Sequence, residues 1–561
     1  TVLQWDKEDC AWMGLVKFDL LGLGMLSALS ISFDLISQHC GRFWTLASIP
    51  RNEPGVYDML CRGDSIGVFQ VESRAQIGAL PRLKPRCFYD LAVEIGLIRP
   101  GPVQGGAVHP YIRRRTGAEP VTYPHPLLEP VLERTLGIPL FQEQLMQMAT
   151  TVGNCTAADA DLLRRAMGSK RGVERIDSLR TKLFEGMAAN GIDDDTAQGI
   201  YARIESFANF GFAESHALSF AGLVYTSAWI KLHYPAVFLA ALLRSQPMGF
   251  YSSATLVADA RRHGVVTRRP DVARSSVGAD LELLDACCEE LGSEELETGI
   301  DECLHDHDES EIGAFDPNRD DGDHRRDTHF AVRLGLSDVS GINIETATRI
   351  VEERERESFA SLDDLARRVD LSGEEVEALA LAGAFDDLVG SRRGALWQIG
   401  QINGVAPGQL DVQVVTQPPL LPEPTQMELL GDDLRATGIS TADHPVRQVR
   451  DALNRRGVVQ VDRLDGVETR RRIEVAGVVT HRQRPGTAGG VTFLNLEDET
   501  GLLNVIVTPG AWRHYRRVAR TSRALVVRGI LERGDEGVMS LQADRLEALD
   551  LSVPTKSRDF R

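Results

Sequence analysis

Long apolar runs are missing from this chain of 561 residues, and cysteine is sparse. No stretch approaches the ~18 consecutive apolar residues that a membrane-spanning helix needs, so no membrane partner is predicted. The eight cysteines form no C-x-x-C pair and no disulfide framework, which indicates a reducing compartment, the cytoplasm. The N-terminus carries no secretory signal and begins with Thr1 rather than methionine, which predicts a fragment or a processed chain.

A basic net charge is missing too. The net charge is −19, which by itself argues against binding to nucleic acid. The acidic residues are concentrated, however, because 19 of them lie between Asp280 and Asp327 together with only three arginines. This window predicts a solvated, disordered insertion. Outside it the chain is near neutral and its arginines cluster, at residues 113–115, 164–165, 261–262 and 470–472.

The hydrophobic periodicity predicts a multidomain α+β protein. The first part mixes short apolar strands with a helix that starts near Gly24, and a long second part repeats apolar side chains every three or four positions, as helices do. The last part alternates with a period of two, which predicts a C-terminal OB-type β-barrel of five strands. The predicted boundaries are 1–60, 61–276, the acidic insertion 277–330, helices at 331–404, linker and helices at 405–470, the barrel at 471–550 and a tail at 551–561.

Residues 16–24 (VKFDLLGLG) place a carboxylate and a lysine within an apolar run. A carboxylate in such surroundings costs several kcal/mol of desolvation unless a cation compensates it. Asp19 is therefore a candidate metal ligand, and Lys17, two residues away on the same face of a strand, is a candidate phosphate contact. The alternative is a short apolar strand whose single aspartate caps the following turn.

Residues 336–343 (LSDVSGIN) are typical of a helix-hairpin-helix motif. The glycine turn of such a motif exposes backbone N–H groups to a DNA phosphate without reading the base sequence. The candidate DNA contacts are Ser340, Gly341 and Asn343. Ordinary helix-turn-helix packing is the alternative.

The arginines near the start of the predicted barrel favour single-stranded DNA as its ligand. Arg482 and Arg484 are the candidate contacts, together with the cluster at 470–472. A barrel that binds another protein is the alternative.

Several longer runs, in this order, resemble the C-terminal half of a C-family bacterial DNA polymerase, the polymerase III alpha type. The resemblance covers nearly the whole chain apart from the acidic insertion. It implies that residues 1–60 are the end of a polymerase palm, 61–276 the fingers, and 331–404 a tandem helix-hairpin-helix domain that binds duplex near the clamp. The matching runs are VKFDLLGL at 16–23, GVFQVESR at 67–74, RPGP at 99–102, QEQLM at 142–146, DLLRRAMG at 161–168, GFAESH at 211–216, KLHYPA at 231–236 and AGAFD at 382–386.

Details resemble the error-prone branch of this family. Ala213 and Glu214 stand where the replicative pattern has Asn-Lys, and QWDK at 4–7 is similar to the error-prone type. The chain also stops soon after the barrel. The resemblance implies damage-induced translesion synthesis, with primer-template DNA as substrate, a Y-family-like mutagenesis partner and, through that partner, the sliding clamp.

The resemblance also implies roles for single residues in nucleotidyl transfer. Two Mg²⁺ ions and a dNTP take part in such a reaction, and Asp19 is similar to the third palm aspartate of the family. Lys17 neighbours the incoming phosphates, and Arg164 and Arg165 are suited to the β- and γ-phosphates, with a plain surface pair as the alternative. Weaker nucleotide contacts are Arg99, Lys170, Ser215 and His216; a buried structural histidine is the alternative for the last.

The first two palm aspartates of the family, in a Pro-Asp-x-Asp-type strand, have no counterpart before Val16. One carboxylate cannot hold two magnesium ions, so we expect this chain alone to bind DNA and nucleotide weakly and not to polymerise. A fragment and a disrupted gene both fit. The competing function is a non-catalytic DNA-binding remnant that recruits mutagenesis partners, and a structural scaffold is a third.

Two further patterns give weaker indications. QMELL at 426–430 resembles a clamp-binding pentapeptide without its final aromatic residue, and it fits an ordinary helix equally well. The cysteines and histidines of the acidic insertion fit no common zinc spacing, which favours a solvated linker. They are Cys287, Cys288, Cys303, His305 and His307.

Overall fold

A computed structural model of the chain describes residues 5, 7–16, 23–98, 108–167, 172–206, 212–249, 251–284, 305–317, 322–402, 422–484, 489–534, 539–551 and 558–560. Its helices and its C-terminal barrel confirm the predicted multidomain α+β class. No helix in these ranges has the length and apolar character that crossing a membrane requires.

The part of the chain before Arg262 is helical in all its described elements. Short apolar strands were predicted within residues 1–60, but the described residues of that segment form helices instead. The reason is visible in the helix Leu23–Cys40, which buries Met25, Leu29 and Ile36 at helical spacing. The α-helices are Lys7–Trp12, Leu23–Cys40, Pro54–Cys61, Arg74–Leu83, Phe88–Leu97, Val108–Arg115, Glu129–Leu132, Gln142–Gly153, Ala157–Ala166, Gly172–Asp177, Arg180–Ala189, Asp194–Ser206, Glu214–His233, Pro235–Arg244 and Ser253–Arg262, with 3₁₀ turns Pro126–Leu128 and Glu133–Thr135.

The helix Glu214–His233 is the centre of the largest core. Its last ten residues are buried on all sides, which is the pattern of a helix enclosed by others. It packs against the helices Phe88–Leu97, Pro54–Cys61 and Leu23–Cys40. A second core lies within residues 128–204, so the helical region contains two packing units.

The predicted disordered insertion at 277–330 is wrong for the residues that the structure describes there. Strand β2 (Asp280–Leu283) pairs antiparallel with β3 (Phe330–Arg333), and β1 (Thr267–Arg268) pairs parallel with β3. The acidic composition did not predict these pairings, because only a few contacts hold the described residues of the segment against the helices. Arg86, for example, donates to the carbonyl oxygens of Ile312 and Gly313.

A compact helical domain follows β3. Three of its helices begin at side-chain caps, since Asn343, Ser361 and Ser372 each accept a hydrogen bond from the backbone N–H three residues later. The elements are the 3₁₀ turn Leu336–Asp338 and the helices Ile344–Arg356, Leu362–Val369, Gly373–Leu381, Asp386–Val389, Arg392–Ile402 and Gln426–Ala436. This arrangement confirms the predicted helix-hairpin-helix architecture.

The C-terminal region is a closed five-stranded barrel, as predicted. It closes because β4 (Arg472–Gln483) pairs with both β5 (Thr492–Glu497) and β7 (Ala524–Arg533). Strand β6 (Leu502–Val507) lies between β5 and β8 (Met539–Ala548), and its pairing with β8 is parallel. The helices Pro509–His514 and Arg516–Thr521 connect β6 to β7, and the helix Arg450–Arg456 with the 3₁₀ turns Arg447–Val449 and Val461–Gly466 precedes the barrel. The predicted tail contains a further strand, β9 (Arg558–Phe560), parallel to β4.

One buried carboxyl gives a testable consequence of this packing. Glu94 is fully buried, and neither of its carboxyl oxygens has a hydrogen-bond partner. Burial raises the pKa of Glu94 well above its ordinary value. Because the pKa of Glu94 is higher in the folded than in the unfolded state, its contribution to the free energy of unfolding is most favourable below the unfolded pKa near 4.3. This contribution is lost as the pH rises through the folded-state pKa.

We therefore expect Glu94→Met to raise the free energy of unfolding at pH 8 by about 1–3 kcal/mol, because it removes an uncompensated buried polar group at similar volume. The gain should shrink toward pH 4. Urea unfolding of the variant and the parent at both pH values measures this, with the exposed Glu185→Met as control. A gain in the free energy of unfolding that does not depend on pH would contradict the raised pKa of the buried Glu94 carboxyl.

Candidate nucleic-acid and nucleotide interface

Arg164 and Arg165 lie together in the last turn of the helix Ala157–Ala166. The Asp161 carboxylate binds both guanidinium groups, at 2.8 Å from Arg164 Nη2 and 2.8 Å from Arg165 Nη2. Hydrogen bonding to Arg164 lowers the pKa of Asp161. Both arginines are more than half exposed, and the C-terminal end of a helix favours cations. Both guanidinium groups thus bind one carboxylate, that of Asp161, at the protein surface.

Ser215 and His216 lie in the first turn of the helix Glu214–His233, and both side chains are exposed. The His216 ring stacks against Phe220 at 4.1 Å and contacts Phe212 at 5.3 Å between ring centroids. The alternative of a buried structural histidine is therefore wrong, because the His216 side chain is exposed. Its ring nevertheless packs against two aromatic side chains. The helix that carries Ser215 and His216 packs in the large core, whereas the helix that carries Arg164 and Arg165 packs in the second unit.

Glu214, the error-prone-type residue of the motif, joins three elements. Its carboxylate accepts a hydrogen bond from Tyr89 Oη at 2.7 Å, and its backbone N–H donates to Glu143 at 2.8 Å. The Arg134 guanidinium lies 3.7 Å from the Tyr89 ring centroid and 3.7 Å from the Glu214 carboxylate. Burial and the bond to Glu214 raise the pKa of Tyr89. Sequence reasoning singled out Glu214 only as a branch marker and missed this network.

Four sequence-predicted site residues lie outside the described residues. They are Lys17, Asp19, Arg99 and Lys170. Their roles stay predictions from the sequence.

The helix-hairpin-helix turn has the backbone that the motif requires. Gly341 has a φ of +98°, a conformation that favours glycine, and Asn343 Oδ1 caps the helix Ile344–Arg356 by accepting from Thr346 N at 2.7 Å. Gly341 and Asn343 are exposed. The Ser340 N–H donates to the Ala436 carbonyl at 2.7 Å, so this particular group is already used. Among the described residues we find no acceptor for the Gly341 N–H.

The two barrel arginines predicted as DNA contacts differ in their surroundings. Arg482 is 7% exposed and donates to the carbonyl oxygens of Ala519 and Ser522, which ties β4 to the helix before β7. In this conformation Arg482 holds the barrel together rather than facing a ligand. Arg484, at the end of β4, is exposed.

A groove between the helical region and the barrel carries cations that the sequence did not single out as a group. The helices Arg74–Leu83 and Val108–Arg115 form one wall, and the ends of β6, β7 and β8 form the other. The basic side chains that line it are Arg82, His109, Arg470 and Arg533. Their joint location could not be read from the sequence, because they come from positions far apart in the chain.

The clamp-like segment is helical. Residues 426–430 open the helix Gln426–Ala436, Leu430 is buried, and the Leu429 carbonyl accepts from Arg392. The segment therefore packs within the domain, which fits the ordinary-helix alternative.

Two clusters in the described chain combine carboxylates with histidines. In one, Lys231 Nζ lies 2.7 Å from Asp64 and 2.8 Å from Asp259, and His263 Nε2 lies 2.6 Å from Asp64. The lysine ammonium already supplies the cation there. The other cluster, Glu53 with His233 and His324, contains two imidazoles, whereas magnesium prefers oxygen ligands. Neither cluster fits the two-magnesium set that the sequence-based expectation requires.

Models of known protein families match three parts of the chain, in agreement with this architecture. A family model described as "Bacterial DNA polymerase III alpha subunit finger domain" matches residues 25–191, which begins inside the segment predicted as palm. A "Helix-hairpin-helix motif" matches 264–395, and an "OB-fold nucleic acid binding domain" matches 473–549. The resemblance stated from the sequence is thereby confirmed.

Curated relatives extend the match to the whole chain. The chain is 51% identical over 564 aligned residues to a protein of Mycolicibacterium paratuberculosis named "Error-prone DNA polymerase", and 50% identical to proteins of that name from Mycobacterium tuberculosis and Nocardia farcinica. In each case the alignment covers 100% of this chain, and it covers 48%, 47% and 46% of the respective relatives. The chain thus spans about half the length of the curated relatives that it matches.

Among solved structures, the asparaginyl-tRNA synthetase of Pyrococcus horikoshii overlaps 15% of this chain and 20% of its own, with 19% identity and a TM-score of 0.13. This overlap is too small to bear on the fold.

Proposed function

We propose that this chain, a relative of the error-prone DNA polymerases of the bacterial polymerase III alpha family along its whole length, is the nucleotide- and DNA-binding portion of such a polymerase. The observation that supports the proposal is the alignment of this whole chain at 51% identity. The finger, helix-hairpin-helix and OB-fold models match successive parts of the chain. The reaction of the whole enzyme is nucleotidyl transfer from a dNTP to a primer 3′-OH. Its setting is damage-induced translesion synthesis in the cytoplasm.

In this proposal Arg164 and Arg165 bind the triphosphate. Two exposed guanidinium groups held around one carboxylate have the geometry to hold a phosphate instead, since planar guanidinium groups bind both kinds of oxyanion in the same way. Release from Asp161 costs little, because ion pairs between exposed groups contribute little. Ser215 and His216 present a polar edge and a stacked ring at the start of the neighbouring core helix and are proposed to face the nucleotide.

Replacing both arginines tests this role. In a polymerase completed with the remaining part of a related enzyme, Arg164→Ala/Arg165→Ala should lower kcat/KM for dNTP by about 10²–10³-fold, as the loss of charge-stabilising donors does elsewhere. The thermal midpoint of the chain should stay unchanged, because both side chains are exposed. Steady-state single-nucleotide incorporation measures the effect, with Arg113→Ala, an exposed arginine paired with Glu119, as control. Equal kcat/KM in the double variant and the parent would contradict the role.

The described residues do not contain a ligand set for two magnesium ions. We propose that Asp19 contributes one carboxylate and that the part of a longer polymerase absent from this chain contributes the others. The bound metals would neutralise the developing charge on the phosphates. Within this chain, the cationic pair supplies binding and orientation of the triphosphate.

The duplex and the template strand are proposed to bind at separate places. The exposed turn at Gly341 and Asn343 is suited to a duplex phosphate, because a helix N-terminus favours anions. The groove lined by Arg82, His109 and Arg470, together with Arg484, is suited to a single strand.

A charge change at the hairpin tests duplex binding without disturbing the fold. Asn343→Asp keeps the N-cap, since aspartate caps as well as asparagine does, but it places a negative charge where a phosphate would bind. We expect roughly tenfold weaker binding to duplex DNA and a salt slope lower in magnitude by about one phosphate contact.

Fluorescence anisotropy with labelled primer-template at several salt concentrations gives both quantities. Thr425→Asp is the matched control, because Thr425 caps the helix Gln426–Ala436 with the same geometry. Unchanged affinity in Asn343→Asp, or an equal loss in Thr425→Asp, would argue against a phosphate contact at this turn.

The partners follow from the same proposal. A Y-family-like mutagenesis partner would bring the sliding clamp, which agrees with the packed, helical state of residues 426–430. A non-catalytic remnant that binds DNA and recruits such partners is the second candidate, favoured by the lack of a two-magnesium carboxylate set in the described residues.

A further inference from the structure

Glu53, His233 and His324 meet in the interior although they are far apart in the sequence. Glu53 precedes the helix Pro54–Cys61, His233 ends the helix Glu214–His233, and His324 lies in the 3₁₀ turn Gly322–His324. Their exposed fractions are 1%, 0% and 8%. One ligand atom from each residue lies within 4.8 Å of the other two.

The hydrogen bonds of His233 define the proton on its ring. Nδ1 lies 2.9 Å from the backbone carbonyl oxygen of His324, and a carbonyl oxygen can only accept, so Nδ1 carries the hydrogen. Nε2 lies 2.7 Å from Glu53 Oε2. In the neutral ring, the Nε2 lone pair therefore faces a carboxylate oxygen. Two acceptors at this distance require a cation between them: a proton, on the ring or on the carboxyl group, or a metal ion.

One oxygen of the Glu53 carboxyl group makes no hydrogen bond. Oε1 is buried and has no hydrogen-bond partner, although His324 Nδ1 lies only 3.2 Å away. Oε1 is thus a buried carboxyl oxygen whose contact with His324 is not a hydrogen bond, and it can accept a further ligand.

The cluster around Lys231 shows how this fold treats a comparable buried group. There the ammonium of Lys231 lies between two carboxylates, and its charge compensates theirs. In the Glu53 cluster, the contacts of the carboxylate within the described chain are to imidazoles. The position that Lys231 fills in one cluster has no lysine counterpart in the other.

We propose that Glu53, His233 and His324 form a zinc-binding site. Two histidines and one glutamate are a ligand set that zinc accepts, with a fourth position left for water. The bond from His233 Nδ1 to a backbone carbonyl is the second-shell contact that orients metal-binding histidines. The bound ion would join the end of the helix Glu214–His233 to the start of the helix Pro54–Cys61 and to the 3₁₀ turn Gly322–His324. Among the described residues, none of the nucleotide- or DNA-binding candidates belongs to this cluster.

Metal analysis of the purified chain tests this site directly. After expression with zinc and gel filtration, we expect about one zinc ion per chain by elemental analysis, and a thermal midpoint that falls with a chelator and recovers with Zn²⁺ but not with Mg²⁺. His324→Ala and the conservative Glu53→Gln should weaken zinc binding by at least the roughly 10–100-fold that loss of a second-shell contact costs. Equilibrium dialysis with Zn²⁺ alone gives these affinities.

His263→Gln is the matched control, because His263 belongs to the other carboxylate–histidine cluster and should leave the zinc content unchanged. Circular dichroism at the start of each experiment establishes that the variants are folded, and Glu53→Gln provides a second test if His324→Ala is not. A chain that retains no zinc and whose thermal midpoint ignores Zn²⁺ would overturn the proposal in favour of a doubly protonated His233. Zinc retained equally by the parent, Glu53→Gln and His324→Ala would overturn it as well.

Discussion

Lys231→Met should lower the free energy of unfolding by about 3–5 kcal/mol at pH 7, because it removes the buried cation that lies between the carboxylates of Asp64 and Asp259. Lys231 is 3% exposed, and its ammonium binds Asp64, Asp259 and the carbonyl oxygen of Ile66 at 3.1 Å. Methionine keeps most of the volume and the apolar stem, so the loss reports the charge rather than a cavity. Denaturant unfolding followed by circular dichroism measures the change.

The pH dependence of this loss has a defined sign. Burial by itself raises the pKa of Asp64, but Lys231 and His263 outweigh it and hold that pKa far below its ordinary value. Such a group contributes stability above its unfolded pKa near 3.9, and the contribution is lost as the pH falls through the folded value. The difference between Lys231→Met and the parent should therefore be largest near neutral pH and shrink below about pH 4.

Two further variants separate the charge from the packing at this position. Lys182→Met removes an exposed lysine that is paired with Asp159 and should cost less than about 1 kcal/mol. Combining Lys231→Met with Asp64→Asn should recover part of the loss, because one uncompensated charge is removed. A loss below about 1 kcal/mol in Lys231→Met would mean that the buried carboxylates are neutral or hydrated, contrary to the account given for this cluster.

The sequence predicted the elements of this fold better than their contacts. Alternation with a period of two was sufficient for the barrel, because each of its strands buries one face, as β6 does at Leu503, Val505 and Val507. The hairpin at Gly341 was predictable because a positive φ demands a residue type that the sequence displays. Composition did not predict the order among the described residues of the acidic window, where β2 pairs with β3 and Asp327 is buried.

The candidate sites show the same division. Arg164 and Arg165 are adjacent in sequence, so their pairing around Asp161 at helical spacing could be anticipated. Arg482 was expected to face DNA, but its carbonyl partners come from residues about 40 positions later, which no local pattern indicates. The Glu53, His233 and His324 cluster joins three distant segments and has no sequence spacing that would predict it.

Asp19→Ala should abolish primer extension in the completed polymerase, and this is the largest effect on activity that we expect. In the proposed role Asp19 is a ligand of the catalytic metals, and alanine removes the carboxylate that binds them. The matched control is Asp34→Asn, which removes an exposed carboxylate from the helix Leu23–Cys40 and should leave extension unchanged. Binding of primer-template should survive in both variants, because we propose that it depends on the hairpin and the groove.

The most direct measurement is primer extension with Mg²⁺ and dNTPs by three proteins: this chain alone, the chain joined to the remaining part of a related error-prone polymerase, and the joined protein with Asp19→Ala. The account predicts extension by the joined protein only. Extension by the Asp19→Ala protein would contradict the role of Asp19. No extension by the joined protein, with primer-template binding intact, would contradict the polymerase assignment and leave a DNA-binding remnant.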